Sequence, residues 1–246
     1  MTKELKTLIF DIETGAGVNG FKPDLSVALC IGYKWLHEKT AKCLSVLDQG
    51  RDLYRMKIHD WDRDMLQEFS SIANEADIIV GHYSSIFDKK YLNGRLLLHG
   101  LPPMYPAKHI DTCMALRTIS NFSSNRLKHA AKILKLSSQK HENGWPDWWI
   151  EVGRNPVKMV KAMIPYCKGD VLATEELYKV IQPFLRRKGF SRADRGFVCP
   201  KCGSKHLQRK GKHVTASSTS IRLHCQDCGS WSLTEAELKK PLVKDM

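Results

Sequence analysis

The first hundred residues alternate between short apolar runs and helical spacing. Thr7 to Thr14 predicts a strand, with Leu8, Ile9, Phe10 and Ile12 apolar on both sides of it. Ser26 to Trp35 is apolar and rich in β-formers, and Ala41 to Leu47 alternates well enough for a third strand. Residues 61–75 place Met65, Leu66, Phe69 and Ile72 at helical intervals. Asp77 to Gly81 predicts a buried strand and a turn. Lys89 to His99 returns to helical spacing until Leu101-Pro102-Pro103 stops it. His109-Ile110-Asp111 is a short strand candidate, and Asn125 to Leu136 is amphipathic through Leu127, Ala130, Ala131 and Leu134. Asn155-Pro156 is a helix start, an N-cap followed by proline, and a helical pattern resumes after Pro165 to about Gln182. Strands first, then strands mixed with helices, predict an α/β fold around a mixed sheet flanked by helices.

Composition narrows the class. The 246 residues are 42% hydrophobic and 26% charged, ordinary values for a globular chain. The longest apolar runs, such as Val27 to Ile31, fall far short of the roughly 20 residues that cross a bilayer. A cytoplasmic protein (host-cell cytoplasm if viral) with no membrane partner is the expectation. Charge is uneven. Residues 186–246 hold 14 basic and 5 acidic side chains of the chain's 39 and 26, so a polyanionic partner is expected at that end. The predicted division is a larger domain over 1–185, a basic linker over 186–196 and a small domain over 197–246.

Cysteines divide the chain the same way. Cys30, Cys43, Cys113 and Cys167 are scattered and read as small buried residues. Cys199, Cys202, Cys225 and Cys228 form two C-x2-C pairs 22 residues apart, favouring metal over disulfides. The spacing lets two sulfurs from each pair reach one tetrahedral Zn²⁺, and the following Gly203 and Gly229 permit the turn's positive φ. The pattern resembles the zinc-ribbon family, with room for a small antiparallel sheet between the knuckles. His206, His213 and His224 are unnecessary as ligands once four cysteines serve. Lys205, Arg209, Lys210, Lys212 and Arg222, with Trp231, suit single-stranded nucleic acid through phosphate contacts and base stacking. Trp231 has a second reading as the ribbon's small core, and the ribbon a second reading as a protein-docking module.

Acidic residues mark the ends of predicted elements. Asp11 and Glu13, two apart in a strand, project from one face, and a divalent cation relieves their repulsion. Asp88 opens a helix after the strand and loop Ile78 to Phe87, where it is either a cap or a metal ligand. Tyr166 and Asp170 share a helix face one turn apart.

In order, Phe10-Asp11-Ile12-Glu13, then Phe87-Asp88, then Tyr166-Cys167-Lys168-Gly169-Asp170, resemble the DEDD superfamily of 3′–5′ exonucleases. Tyrosine four before the last Asp resembles the DEDDy branch, which includes the proofreading domain of family B DNA polymerases. Pro165 stands where the other branch has histidine. The resemblance spans about residues 5–183 and implies a ribonuclease H-like fold. It implies two Mg²⁺ or Mn²⁺ held by Asp11, Glu13, Asp88 and Asp170, with Tyr166 orienting the attacking water. Tyr83 departs from the family's frequent Asn, and His82 is either a substitute substrate contact or an ordinary loop histidine. Asp111 reads as structural or as support to a ligand. Trp145, Trp148 and Trp149 read as a hydrophobic plug or a lid over substrate.

The resulting expectation is a metal-dependent 3′–5′ exonuclease on single-stranded DNA, with RNA open and a polymerase or a replication or repair protein as a candidate partner. The alternatives are a ribonuclease H-like endonuclease or transposase-like protein, and a non-catalytic nucleic-acid-binding adaptor.

Overall fold

The computed structural model describes residues 5–15, 22–50, 52–105, 108–138, 154–185, 199, 202, 204–214 and 219–235. The chain divides into two compact units, Met1–Phe184 and Leu185–Met246. The predicted linker at 186–196 and the tryptophans at 145, 148 and 149 lie outside the described residues.

In the first unit, β1 (Thr7–Gly15), β2 (Val27–Trp35) and β3 (Lys42–Ser45) form an antiparallel run. β4 (Ile78–Gly81) and β5 (Lys108–Asp111) extend it parallel to β1, giving the order β3-β2-β1-β4-β5. Parallel neighbours need crossovers, and α1 (Arg63–Asn74) and α2 (Asp88–Leu98) supply them. Leu8, Ile9 and Phe10 are essentially inaccessible, so the unbroken apolar run of β1 marks a central strand covered on both faces. Phe69 of α1 meets Phe10 and Tyr33 with ring centroids 5.8 and 6.3 Å apart.

Two buried ionic knots fix the helices. Asp62, fully buried, accepts from Arg95 Nε and Nη2 at 2.8 and 2.7 Å and from the Ala28 N–H at 2.9 Å. This ties α1, α2 and β2 together, and leaving either charge alone would cost about 3–5 kcal/mol. On α5 (Pro156–Leu185), Glu175 accepts from Lys34 of β2 at 2.6 Å, both side chains buried.

Three expectations change. The helix predicted to resume after Pro165 is continuous from Pro156, and Pro165 is exposed within it, where its ring meets solvent rather than the core. Helix α3 (Thr112–Ile119) was not expected. Its signal was Asp111, whose carboxylate caps it by accepting from the Cys113 and Met114 N–H groups. The amphipathic segment gives α4 over only Leu127–Ile133.

The second unit is a three-stranded antiparallel sheet of β6 (Leu207–Val214), β7 (Thr219–Cys225) and β8 (Trp231–Glu235), in that order. Two of the strands lie between the cysteine pairs, as expected, and β8 follows the second pair.

Candidate active site and metal centre

Cross-strand partners share a sheet face. Asp11 stands opposite Gly32 and Glu13 opposite Cys30, so the two carboxylates have no large side chain beside them on β2. Gly32 admits α5. A Cβ there would lie 2.9 Å from both Cys167 Sγ and Val171 Cγ2, closer than packed atoms come. Instead the Gly32 N–H donates to Cys167 Sγ at 3.1 Å. Cys167 is fully buried, and its thiol reaches the Asp11 carbonyl at 3.5 Å and the Asp11 Oδ2 at 3.7 Å. The donor atoms of Asp11, Glu13 and Cys167 all lie within 4.8 Å of one another.

That contact sets the stretch of α5 bearing the other two motif residues over the Asp11 end of the sheet. Tyr166 is half-buried beside Cys167, and Asp170, almost inaccessible, follows one turn later. Asp88 is also buried, as the first residue of α2. It is not the cap, since Phe87 occupies that position and makes no side-chain cap bond. Neither the Asp88 nor the Asp170 carboxylate joins the 4.8 Å cluster of Asp11, Glu13 and Cys167. Sequence reasoning missed Gly32 and the placement of Cys167, whose signal was its position between Tyr166 and Asp170.

The loop into Asp88 is clamped by Asp111. Its carboxylate accepts from the Tyr83 N–H at 2.9 Å, the Ser85 N–H at 2.9 Å and the Ser85 hydroxyl at 2.5 Å, besides capping α3. Burial pushes the Asp111 carboxyl up. The Ser85 hydroxyl and the backbone N–H groups of Ser85, Met114 and Tyr83 outweigh it and hold the group below the usual carboxylate range. Asp111 is thus a structural clamp. Gly81 permits the turn, because a Cβ there would meet Ser84 Oγ at 2.5 Å. Tyr83 has a left-handed backbone, φ +62°, and an exposed ring with the Arg117 guanidinium 6.0 Å from its centroid.

His82 and His109 brace the same loop. Thr112 Oγ1 donates its proton to the Gly81 carbonyl at 3.1 Å, so the His82 Nδ1–H donates to the Thr112 hydroxyl oxygen at 2.9 Å. His109 Nε2 lies 2.9 Å from the Ser84 hydroxyl. Burial, aided by the Lys89 charge and opposed by Asp111, pushes the His109 imidazole down to about 4.

In the second unit, the four sulfurs of Cys199, Cys202, Cys225 and Cys228 lie within 4.8 Å of one another, with Cys199–Cys228 and Cys202–Cys225 both at 3.6 Å. Four thiolates about 2.3 Å from a tetrahedral Zn²⁺ would sit roughly 3.8 Å apart, so the donor set fits. Each knuckle closes on a serine carbonyl, Cys199 N–H to Ser204 and Cys225 N–H to Ser230. Gly229 has φ +69°, as expected of the second knuckle; Gly203 lies outside the described residues. None of the three nearby histidines joins the sulfur cluster. His206 pairs with Asp227 at 3.1 Å, and His213 lies opposite Ser220 in the β6–β7 ladder.

The reading of Trp231 as ribbon core is corrected. Its ring is 60% exposed, because it stands opposite the outward His224, while Ile221, Leu223 and Cys225 point inward. The two rings meet at 4.7 Å, tilted 40°. Arg222, opposite Leu233, is exposed in the neighbouring row, and Lys205, Arg209, Lys210 and Lys212 are exposed before and along β6.

A five-stranded mixed sheet flanked by helices, with paired acidic residues on its central strand, defines the class of the ribonuclease H-like nucleases. A family model of the RNase H superfamily matches residues 8–182, and the chain belongs to that superfamily. Among solved structures, it is similar to the family B DNA polymerase of the hyperthermophilic archaeon Pyrobaculum calidifontis, with a TM-score of 0.57 and 21% identity. The match covers 75% of this chain and 25% of the polymerase, so this chain spans about a quarter of that protein's length. At that identity the likeness is one of fold. No curated protein matches the chain. Among the described residues, no helix is long and apolar enough to cross a membrane.

Proposed function

We propose that this chain is a metal-dependent 3′–5′ exonuclease acting on single-stranded nucleic acid, with DNA as the preferred strand. The observation that carries the reading is the pairing of Asp11 and Glu13 on β1 with α5 drawn against them through Cys167, on the helix that also bears Tyr166 and Asp170. The order of these residues in the chain is that of the DEDDy exonucleases.

The donor chemistry of Asp11, Glu13, Asp88 and Asp170 is all carboxylate, which suits Mg²⁺ or Mn²⁺. Two such ions supply charge neutralisation at the phosphate and a water acidic enough to attack it. With ions bound, Asp11, Glu13 and Asp170 would hold the one that activates water, and Asp11 with Asp88 would hold the other. Tyr166 orients the attacking water by hydrogen bonding, a task a protonated phenol performs without losing its proton. Cys199, Cys202, Cys225 and Cys228 hold one structural Zn²⁺, and the ribbon's basic face and Trp231 retain the strand. The His82 imidazole, tied to Thr112, braces the loop that leads into Asp88. A polymerase or a replication or repair protein is the natural partner of such an activity.

Digestion of 5′-labelled single-stranded DNA and matched RNA tests this, with Mg²⁺, Mn²⁺ or EDTA, beside Asp11→Ala. The expected result is a metal-dependent ladder shortening from the 3′ end, faster on DNA and absent in the variant. Internal cuts would make the protein an endonuclease. Tight binding without cleavage would make it an adaptor.

A further inference from the structure

Beside the carboxylates lies a second donor set of opposite chemical character. Cys43 of β3 stands opposite Gly32, and Cys30 stands opposite Glu13 on its β1 side and Ser45 on its β3 side. The sheet face under α5 is therefore a small grid. Asp11, Gly32 and Cys43 form one row; Glu13, Cys30 and Ser45 form the next. Cys167 descends from α5 onto the glycine, the position without a side chain. The sulfurs of Cys30, Cys43 and Cys167 all lie within 4.8 Å of one another. Cys167 is shared, with oxygen donors on one side and thiols on the other.

We propose that Cys30, Cys43 and Cys167 form a binding site for a thiophilic d¹⁰ divalent cation, of the Zn²⁺ and Cd²⁺ class, separate from the ribbon's four cysteines. Three sulfurs from three elements converge on one point, and Zn–S bonds of about 2.3 Å need only a modest inward closure of side chains already this near. Thiol donors discriminate against Mg²⁺ and Mn²⁺, which prefer oxygen, so the two donor sets sort ions by hardness. Cys30 and Cys167 are fully buried and Cys43 is half-buried, so an ion reaches the site from the Cys43 side. Binding releases the thiol protons to solvent.

The site is tested by counting ions, which requires no nuclease activity. The zinc-loaded full chain, reduced and in excess Mg²⁺, is titrated with Cd²⁺ and examined by native mass spectrometry. Thiolate-to-cadmium absorbance confirms the ligand type. The expected count is two thiolate-bound ions in the parent chain and one in Cys43→Ser and in Cys30→Ala, with circular dichroism showing that each variant is folded. A parent chain that stops at one ion would overturn the proposal. So would retention of the second ion by both folded variants.

Discussion

The backbone N–H of Gly32 donates to Cys167 Sγ across 3.1 Å, at the point of β2 where no side chain holds α5 away. The same sulfur reaches back to Asp11, so one glycine and one thiol set how close the helix of Tyr166 and Asp170 comes to the strand of Asp11 and Glu13. In Gly32→Ala, the new methyl would collide with Cys167 Sγ and Val171 Cγ2 at 2.9 Å. Both contacts belong to a helix anchored along its length, so relief requires the helix to lift. Overpacking of this kind costs about 1–3 kcal/mol, read by urea unfolding. Hydrolysis should fall more steeply than stability, because displacement of α5 separates the carboxylates. Parent-like cleavage in a measurably destabilised variant would dissociate the helix position from the chemistry.

Asp111 offers a second structural test. Asp111→Ala leaves the Tyr83 and Ser85 N–H groups and the α3 cap donors without their common acceptor. Losing several charge-assisted bonds in a half-buried loop should cost on the order of 2–4 kcal/mol by thermal or urea unfolding. Asp111→Asn keeps the shape but exchanges a carboxylate for an amide, and should recover part of that loss. Equal stability of the two variants would show that charge, rather than geometry, closes the loop.

His109 predicts a pH dependence. Its folded pKa of about 4 lies below the ordinary value of 6.5, so folding favours the neutral ring. That contribution is complete above 6.5 and is lost as the pH falls from 6.5 toward 4, where the unfolded chain binds a proton that the folded chain refuses. His109→Gln keeps a polar group facing Ser84 and removes the titration. Its stability curve should be flatter than the parent's between those pH values, by no more than about 1.4 kcal/mol per pH unit. Parallel curves would place the proton elsewhere.

Much of this was legible in the sequence, for physical reasons that differ by element. β1 declared itself through an apolar run, Leu8 to Ile12, interrupted by Asp11 and followed by Glu13, a pattern expensive to bury without a purpose. The cysteine pairs were legible because their spacing leaves little else to do. Cys167 was not, since a lone cysteine in a helix looks like any small core residue until Gly32 is seen to leave it room. Cys30 and Cys43 gather beside it through strand register, which no local pattern reveals. Pro165 misled because a long helix packed along its length can carry an exposed interior proline, losing one backbone hydrogen bond without ending.

Removing the ribbon's metal should act on the second unit alone. The four cysteines supply the fixed point of a sheet with few buried side chains, Ile221, Leu223 and Cys225 among them. Cys225→Ser should remove one equivalent of bound zinc, measured by atomic absorption, and expose the ribbon to limited proteolysis. The first unit, with its own core, should keep its unfolding midpoint. A ribbon that resists protease without metal would show that the strands suffice.

Trp231 and Arg222 separate the two ways the ribbon could hold a strand. Trp231, tilted against His224 and largely exposed, offers a face to a base; Arg222 in the next row offers charge to a phosphate. Stacking is nearly independent of salt, whereas each phosphate contact releases counterions. Trp231→Ala should therefore weaken binding of single-stranded DNA by roughly tenfold with the salt slope unchanged. Arg222→Gln should lower the slope of log affinity against log salt by about one. Neither substitution touches the carboxylates, so cleavage at saturating strand should stay at the parent rate. Fluorescence anisotropy across a salt series measures both quantities. If Trp231→Ala binds like the parent, the exposed ring serves something other than a base, and a protein surface becomes the better candidate for what it meets.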